Sequence, residues 1–237
     1  MPNPYFNFKQ FTVWHDRCAM KVGTDGVLLG AWTDIQNAQK ILDVGAGSGL
    51  VALMLAQRNN IAIIDSIEID ENAAMQATGN FHSSPFSNIP NCIHQSLQEY
   101  SAQCGIRYDL IVSNPPFFTR SLKSPDSRRS MARHTDSLLI EDFIEISARL
   151  LSENGRISFI FPYDEKDYLF SLAINSGLSV SRATYVCPVP SAKFKRILIE
   201  LSVRKTPPLF SELTIETERH VYSPEFTKLV KDFYIKL

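Results

Sequence analysis

The amino-acid sequence predicts an α/β fold, with a mostly parallel sheet and helices on both faces. Three observations predict this class. From Lys40 onward, short apolar runs alternate with helical patterns, which is typical of βαβ units joined by right-handed crossovers. A glycine-rich loop at residues 45–49 separates the first of these strands from its helix. The tetrapeptide N-P-P-F, residues 114–117, follows an apolar run and enters the crevice where such sheets bind ligands.

The individual elements follow from hydrophobic periodicity and turn signals. Seven runs predict strands at residues 41–44, 62–69, 91–94, 109–113, 156–161, 178–186 and 197–204. Four intervening patterns predict helices at residues 50–58, 71–80, 138–151 and 164–175. We expect Gly155 near the C-terminal cap of the third helix, Asp164 as the cap of the fourth and Gly177 after it.

The C-terminal region predicts one further helix. Ser223 and Pro224 form an N-cap and first-turn signal. Apolar residues then recur at helical spacing, and we expect this stripe to pack in the core. Its members are Phe226, Leu229, Val230 and Phe233.

Length and composition restrict the possible classes. A chain of 237 residues with 44% hydrophobic and 21% charged residues is an ordinary globular protein, and we expect one domain over 1–237 with an N-terminal cap segment at 1–38. The net charge of -1 excludes a global basic surface, so any nucleic-acid contact requires a local patch. We expect a monomer. We also expect it in the cytoplasm, because neither a signal peptide nor an apolar run of about 18 residues is present.

Metal and disulfide chemistry are not indicated. The four cysteines lack C-x-x-C spacing, so neither a zinc site nor a disulfide framework is suggested. The five histidines are scattered along the sequence. We therefore expect no metal.

The N-P-P-F tetrapeptide presents acceptors in a stiff loop. Pro115 and Pro116 fix φ and donate no backbone hydrogen bond, so they hold the Asn114 carboxamide and the Pro115 carbonyl in place. Phe117 adds an apolar plane. Two acceptors beside a ring suit a planar group that bears an NH2, such as a nucleobase amine. The alternative is a rigid loop that follows a strand.

The glycine loop predicts a nucleotide-like ligand. Its glycines stand at 45, 47 and 49, whereas the dinucleotide pattern needs glycine at position 50, which is Leu50. Asp43 precedes the loop, and a carboxylate there suits a cationic ligand better than a pyrophosphate. Glu68 lies about 20 residues further on, where an acid can bind a ribose diol. Asp70 is either an alternative ribose ligand or the cap of the next helix.

Together these motifs resemble those of the class I S-adenosylmethionine-dependent methyltransferases. D-x-G-x-G-x-G spans 43–49, an acid ends the second strand, and N-P-P-F marks members that methylate amino or amide nitrogens. Residues 20–32, 186–190 and 231–236 resemble the bacterial valine-tRNA adenine-N6 methyltransferase family, so the resemblance covers nearly the whole chain. It implies a Rossmann-like, mostly parallel seven-stranded sheet with an antiparallel last strand, and S-adenosyl-L-methionine as cofactor.

The resemblance also implies roles for single residues. The glycine loop would pack on the methionine and ribose parts of the cofactor, Glu68 would bind the ribose hydroxyls, and the segment 23–26 would close over the cofactor. We place Ser96 where many class I enzymes carry the aspartate that holds the adenine amine. The implied cofactor residues are Gly23, Thr24, Asp25, Gly26, Asp43, Gly45, Gly47, Gly49, Glu68, Ser96 and Asn114.

Two basic segments predict an RNA surface. Residues 120–134 contain five basic side chains against one acid, and the turn at 191–196 adds three more around Phe194. Phosphate contacts of this kind supply affinity without sequence information. A solvated loop is the alternative for 120–134. The expected RNA contacts are Arg120, Lys123, Arg128, Arg129, Arg133, His134, Lys193, Lys195 and Arg196.

The resemblance implies methylation of adenosine N6 in tRNA, in the anticodon loop of valine tRNA next to the anticodon. Asn114 and Pro115 would accept the two N6 hydrogens and aim the nitrogen lone pair at the methyl group, so no strong base is needed. Phe117 would stack on the target base, and Phe118 would either assist or pack in the core. The alternatives are guanine N2 in ribosomal RNA, a protein glutamine amide, a non-catalytic nucleotide-binding or RNA-binding module, and an NAD-dependent oxidoreductase.

Overall fold

A computed structural model describes residues 3–114 and 138–237. Its strands and helices are, in chain order, β1 Tyr5–Asn7, β2 Thr12–Trp14, α1 Thr24–Trp32, β3 Lys40–Val44, α2 Leu50–Arg58, β4 Ile63–Glu68, α3 Glu71–His82, β5 Asn91–His94, α4 Leu97–Gln103, β6 Tyr108–Ser113, α5 Ile140–Leu150, β7 Leu151–Pro162, α6 Lys166–Asn175, β8 Ser179–Cys187, β9 Arg196–Ser202, β10 Leu209–Thr214, β11 Glu216–Glu218, β12 Val221–Tyr222 and α7 Pro224–Val230.

The main sheet has the strand order β10-β8-β9-β7-β6-β3-β4-β5. Adjacent strands in this sheet are parallel to each other, with the exception of β9, which is antiparallel to both β7 and β8. The predicted α/β, Rossmann-like fold is confirmed, and β9 is the antiparallel last strand of the seven predicted strands. The sheet contains one strand more, because β10 pairs with β8 at the edge. Most of β10 is exposed, so its sequence lacks the apolar alternation that signals a strand.

Helices cover both faces of the sheet. On β6, Leu110 and Val112 face α1, α2, α3 and α7, whereas Ile111 faces α4, α5 and α6. This alternation follows from the two-residue period of a strand, and an apolar residue on each face explains the continuous apolar run of β6. Each large side chain buried in these cores contributes about 1.5–3 kcal/mol.

Both ends of the described chain pack into one of these cores. Phe11 and Val13 from the N-terminal region lie in the same cluster as Phe226 and Val230 of α7. Ser223 accepts a hydrogen bond from the Phe226 amide, which confirms the predicted N-cap. The predicted apolar stripe of this helix is core packing, as expected.

Two predicted helix signals are wrong. Gly155 does not cap α5, because it lies within β7, where a Cβ would stand 2.8 Å from both the Tyr108 carbonyl oxygen and the Leu151 Cβ. It allows a close backbone approach at the irregular start of the β6–β7 pairing. Asp164 lies in a short 3-10 turn, Tyr163–Glu165, and α6 begins after Glu165 without a side-chain cap. Gly177 follows α6 with a φ of 74°, as predicted.

No helix among the described residues is long and apolar enough to cross a membrane. Within the same residues, no three histidine, cysteine or acidic side chains stand in a group that could hold a metal ion.

Candidate active site

The carboxyl ends of four parallel strands, β3, β4, β5 and β6, lie side by side at one end of the sheet. Val44 at the end of β3 pairs with Ile67 of β4 on one side and with Ser113 of β6 on the other. Glu68 at the end of β4 pairs with His94 of β5. The segments that leave these strands therefore converge, which brings the glycine loop, Glu68, Ser96 and Asn114 to one place.

A cavity of about 910 Å³ opens at this end of the sheet, beside the carboxyl ends of the parallel strands. Its walls come from the glycine loop, from the end of β4, from residues 94–99 after β5, and from residues 18–20 of the N-terminal segment. Cavities of this size hold cofactor-sized ligands. The sequence motifs indicated the first three walls, but no motif marked Cys18 and Ala19, and Met20 was only the first residue of the segment 20–32.

The glycine loop turns through left-handed conformations. Gly47 has a φ of 54° and lines the cavity, and a Cβ placed there would meet nothing within 4 Å, so its open side faces the space for a ligand. Gly49 has a φ of 79°, and a Cβ there would clash with the Phe81 ring of α3. Glycine is thus required at 49 both by conformation and by packing.

Glu68 joins the glycine loop to the start of α3. Its Oε2 accepts a hydrogen bond from the Gly47 amide at 2.7 Å, and its Oε1 accepts one from the Asp70 amide at 3.0 Å. The side chain is buried but lines the cavity. Because each carboxylate oxygen has a second lone pair, both can still accept a hydroxyl of a ligand. Of the two acids proposed for the ribose, Asp70 caps α3 by accepting from the Ala73 amide at 2.8 Å.

Asp43 lies near the end of β3, before the glycine loop, as the sequence predicted. It is buried under the loop and does not line the cavity. Its Oδ2 accepts a hydrogen bond from the Ala52 amide in the first turn of α2 at 3.2 Å. The pKa of this carboxyl is raised to about 7, mainly by burial; the bond from Ala52 lowers it and the charge of Glu68 raises it. This bond joins the end of β3 to α2, and the predicted contact of Asp43 with the cofactor stays a prediction.

Ser96 lines the cavity, but its hydroxyl caps α4. It accepts from the Glu99 amide at 3.2 Å and donates to the Glu99 carboxylate at 2.8 Å. This capping box was readable in the sequence as S-L-Q-E, and it explains why α4 begins here. The hydroxyl proton is therefore already bound within the protein, which leaves only acceptor capacity toward a ligand.

Gly26, the last residue of the N-terminal segment 23–26, lies against Asn114. Gly23 precedes the first residue of α1, Thr24. A Cβ on Gly26 would stand 3.0 Å from Leu50 Cδ2 and 3.4 Å from Asn114 Nδ2. The close approach of α1 to the start of α2 and to Asn114 thus depends on glycine at this position.

Asp25 and Arg196, which were predicted for different ligands, bind each other. The Arg196 Nε donates to Asp25 Oδ2 at 2.8 Å. This ion pair ties the start of α1 to the start of β9. Lys193 and Lys195 are exposed beside it.

The remaining predicted residues lie outside the described part of the chain. They are Pro115, Pro116, Phe117, Phe118, Arg120, Lys123, Arg128, Arg129, Arg133 and His134.

Comparison with known proteins gives two kinds of similarity. Residues 22–168, more than half of the chain, match the model of the family described as "Methyltransferase small domain". Proteins named "tRNA1(Val) (adenine(37)-N6)-methyltransferase" match over the full length. Those from Parabacteroides distasonis and Bacteroides fragilis are 53% and 48% identical, with 100% of both chains covered. That from Trichodesmium erythraeum is 48% identical, with 98% of both chains covered.

Solved structures share the fold at low sequence identity. A predicted O-methyltransferase from Agrobacterium tumefaciens has a TM-score of 0.67 and 19% identity, over 88% of this chain and 96% of that one. A ribosomal protein L11 methylase from Lactobacillus delbrueckii has a TM-score of 0.55 and 18% identity, over 76% and 77%.

Proposed function

The chain belongs to the tRNA1(Val) (adenine(37)-N6)-methyltransferase family, and we propose that it methylates N6 of adenosine 37 in that tRNA. The single observation that carries the proposal is that Glu68, which lines the cavity, and Asn114, which directly follows β6, stand at neighbouring ends of the parallel strands on either side of β3. The full-length relatives favour adenine N6 over guanine N2 and over a glutamine amide.

The cofactor of the proposed reaction is S-adenosylmethionine. When bound, it supplies an electrophilic methyl group. Glu68 fits the role of ribose ligand, since both carboxylate oxygens keep acceptor capacity at the cavity wall. Gly47 leaves room beside it for close approach of a ligand to the backbone. Ser96 can accept from the adenine amine, and the segment 23–26 would close the site near Asn114.

Asn114 would act on the amine of the target base. Its carboxamide oxygen accepts one N6 hydrogen, and the Pro115 carbonyl is proposed to accept the other. These two acceptors fix the nitrogen so that its lone pair points toward the methyl donor. The developing positive charge on nitrogen strengthens both hydrogen bonds in the transition state, so positioning and electrostatics replace a strong base. The methylated nitrogen then loses one of its two protons to solvent. Phe117 is proposed to stack on the base splayed out of the RNA loop.

The tRNA backbone is proposed to cross the two basic segments. Lys193 and Lys195 come just before the start of β9. The start of β9 pairs with the end of β7, which lies at the same end of the sheet as Asn114. The basic residues of 120–134 extend the surface in this proposal. Arg196 pairs with Asp25 through its Nε, and its contact with the RNA is part of the same proposal. We propose that the enzyme acts as a single-domain monomer in the cytoplasm.

Methylation of RNA tests this function. Total tRNA from a strain that lacks the gene is incubated with the enzyme and S-adenosylmethionine labelled in the methyl group, then digested to nucleosides and separated by mass spectrometry. We expect label in N6-methyladenosine. Label in a methylguanosine, or in protein only, would contradict the proposal.

A further inference from the structure

The strap, which we define as residues 16–22, forms the N-terminal wall of the cavity. Cys18, Ala19 and Met20 line the cavity. The strap contains neither a helix nor a strand, and most of its side chains are exposed. Hydrogen bonds to the rest of the protein must therefore determine where this wall lies.

The base of the strap is closed by His15, which is buried. The Val22 amide donates to His15 Nδ1 at 3.4 Å, so this nitrogen must be the acceptor. The other ring nitrogen, Nε2, therefore carries the proton and donates to the Asn3 carbonyl at 3.0 Å. These bonds join the two ends of the strap but leave its middle to other contacts.

Gln76 of α3 contacts three consecutive strap residues with one amide. Its Oε1 accepts from the Arg17 amide at 2.8 Å and from the Cys18 thiol at 3.3 Å, and its Nε2 donates to Asp16 Oδ1 at 2.7 Å. The side chain is only 8% exposed. The bond from Gln76 also lowers the pKa of the Asp16 carboxyl.

Asn80 repeats this arrangement one turn further along α3. Its amide accepts from the Trp14 amide at 3.0 Å, and donates to the Trp14 carbonyl and to the Ser48 carbonyl of the glycine loop, each at 2.8 Å. The same face of α3 thus holds both the N-terminal segment and the glycine loop. The spacing of four residues explains how one helix can hold both.

We propose that Gln76 is a positioning residue for cofactor binding, which holds the strap against the cavity so that the wall is formed before the ligand arrives. This inference rests on the proposed function, because it takes S-adenosylmethionine as the occupant of the cavity. A wall that is already ordered costs the ligand no ordering entropy, whereas a free strap reduces the fraction of binding-competent protein.

The first test replaces Gln76→Ala in the full chain. We expect the Kd for S-adenosylmethionine, measured by calorimetry, to rise about 10-fold, which corresponds to a competent fraction near one tenth. Trypsin should also cut faster after Arg17 and Lys21, which are exposed in the strap. Gln57→Ala is the matched control, because Gln57 donates its amide to the Asp232 carbonyl at 3.0 Å and does not line the cavity. It should change neither readout.

Reversing the donor and the acceptor in the hydrogen bond between residues 76 and 16 distinguishes a positioning role of Gln76 from a general effect on folding. In Gln76→Glu, an oxygen would face Asp16 Oδ1 at the present 2.7 Å, and two carboxylates at this distance repel each other. The Kd should rise as in the alanine variant. Adding Asp16→Asn restores a donor and acceptor pair in the opposite direction, so the double variant should recover most of the affinity and the resistance to trypsin.

Two results would overturn the inference. One is a Gln76→Ala protein that binds S-adenosylmethionine with wild-type affinity. The other is a double variant as impaired as Gln76→Glu. Failure of the wild type to bind S-adenosylmethionine would instead contradict the proposed function, and the trypsin comparison without ligand would still report whether Gln76 holds the strap.

Discussion

The Glu68 carboxylate holds the Gly47 amide at 2.7 Å while its other oxygen accepts from the Asp70 amide. Both partners are backbone donors, so the side chain at 68 must offer an acceptor on each side. A carboxylate does this, whereas an amide offers only one oxygen. The acid at this position therefore shapes the cavity in addition to its proposed contact with the ribose.

Glu68→Ala is expected to weaken S-adenosylmethionine binding by about 1–3 kcal/mol, the usual cost of unpaired hydrogen-bonding groups. Glu68→Gln should lose nearly as much, because its NH2 would face a backbone N–H whichever way the amide is turned. Calorimetry measures both. Glu145→Gln is the control, since this exposed acid of α5 pairs with Arg149 and does not line the cavity. Wild-type affinity in Glu68→Gln would remove the requirement for a carboxylate.

Asp43→Asn is expected to change how stability depends on pH. Burial raises the pKa of Asp43 from 3.8 to about 7. The folded state thus keeps a proton that the unfolded state releases between pH 4 and 7, so this group costs stability as the pH rises through that range. Asparagine can still accept from the Ala52 amide but carries no charge. The midpoint of thermal unfolding of the variant, minus that of the wild type, should therefore increase from pH 4 to pH 7 and stay constant above pH 7. A difference that stays constant would contradict the raised pKa.

Replacing Lys193 and Lys195 with Ala is expected to weaken tRNA binding and flatten its salt dependence. Each lost phosphate contact should reduce the slope of log K against log salt by about 0.7–0.9. Lys205→Ala is the control, because this exposed lysine follows the last residue of β9, at the opposite end of the sheet from Lys193 and Lys195. Parallel slopes for the double variant and the wild type would show that phosphates do not contact this turn.

Much of the fold was predictable, because clear strand, turn and helix-cap patterns alternate along the sequence. The apolar run of β6, the β3–α2 glycine turn and the Ser223 cap each depend on local chemistry, and each is where the sequence indicated. Several other elements were not predicted, among them α1, α4 and β10. Residues 26–32 of α1 are all buried, so the helix has no amphipathic period to detect. Helix α4 was missed although Ser96 and Glu99 form a readable capping box, and β10 is too exposed to alternate.

The candidate site was predictable in part for the same reason. Motifs at strand ends are placed by the sheet, so Glu68, Gly47 and Asn114 converge as their positions in sequence suggest. Contacts between distant segments have no such signature. The Asp25–Arg196 pair, the tie of Gln76 to the strap and the burial of Asp43 depend on tertiary packing, which residue spacing does not reveal.

Asn114→Ala is expected to lower kcat about 10²–10³-fold, the usual effect of removing one hydrogen-bonding group that acts in the transition state. The Kd for S-adenosylmethionine should change little, because the glycine loop and Glu68 remain. Asn114→Asp keeps an acceptor oxygen and should retain more activity than the alanine variant. Equal loss in both variants would argue against the acceptor role, and full activity in Asn114→Ala would remove Asn114 from the mechanism.

The most direct test is methyl transfer to two transcripts of tRNA1(Val) that differ at one base. One carries adenosine at position 37 and the other guanosine, and both are incubated with the wild-type enzyme and labelled S-adenosylmethionine. We predict stoichiometric label in N6-methyladenosine for the first transcript and background label for the second. Equal labelling of both transcripts, or none of either while the enzyme binds the cofactor and the tRNA, would contradict the assignment of adenine N6 as the acceptor.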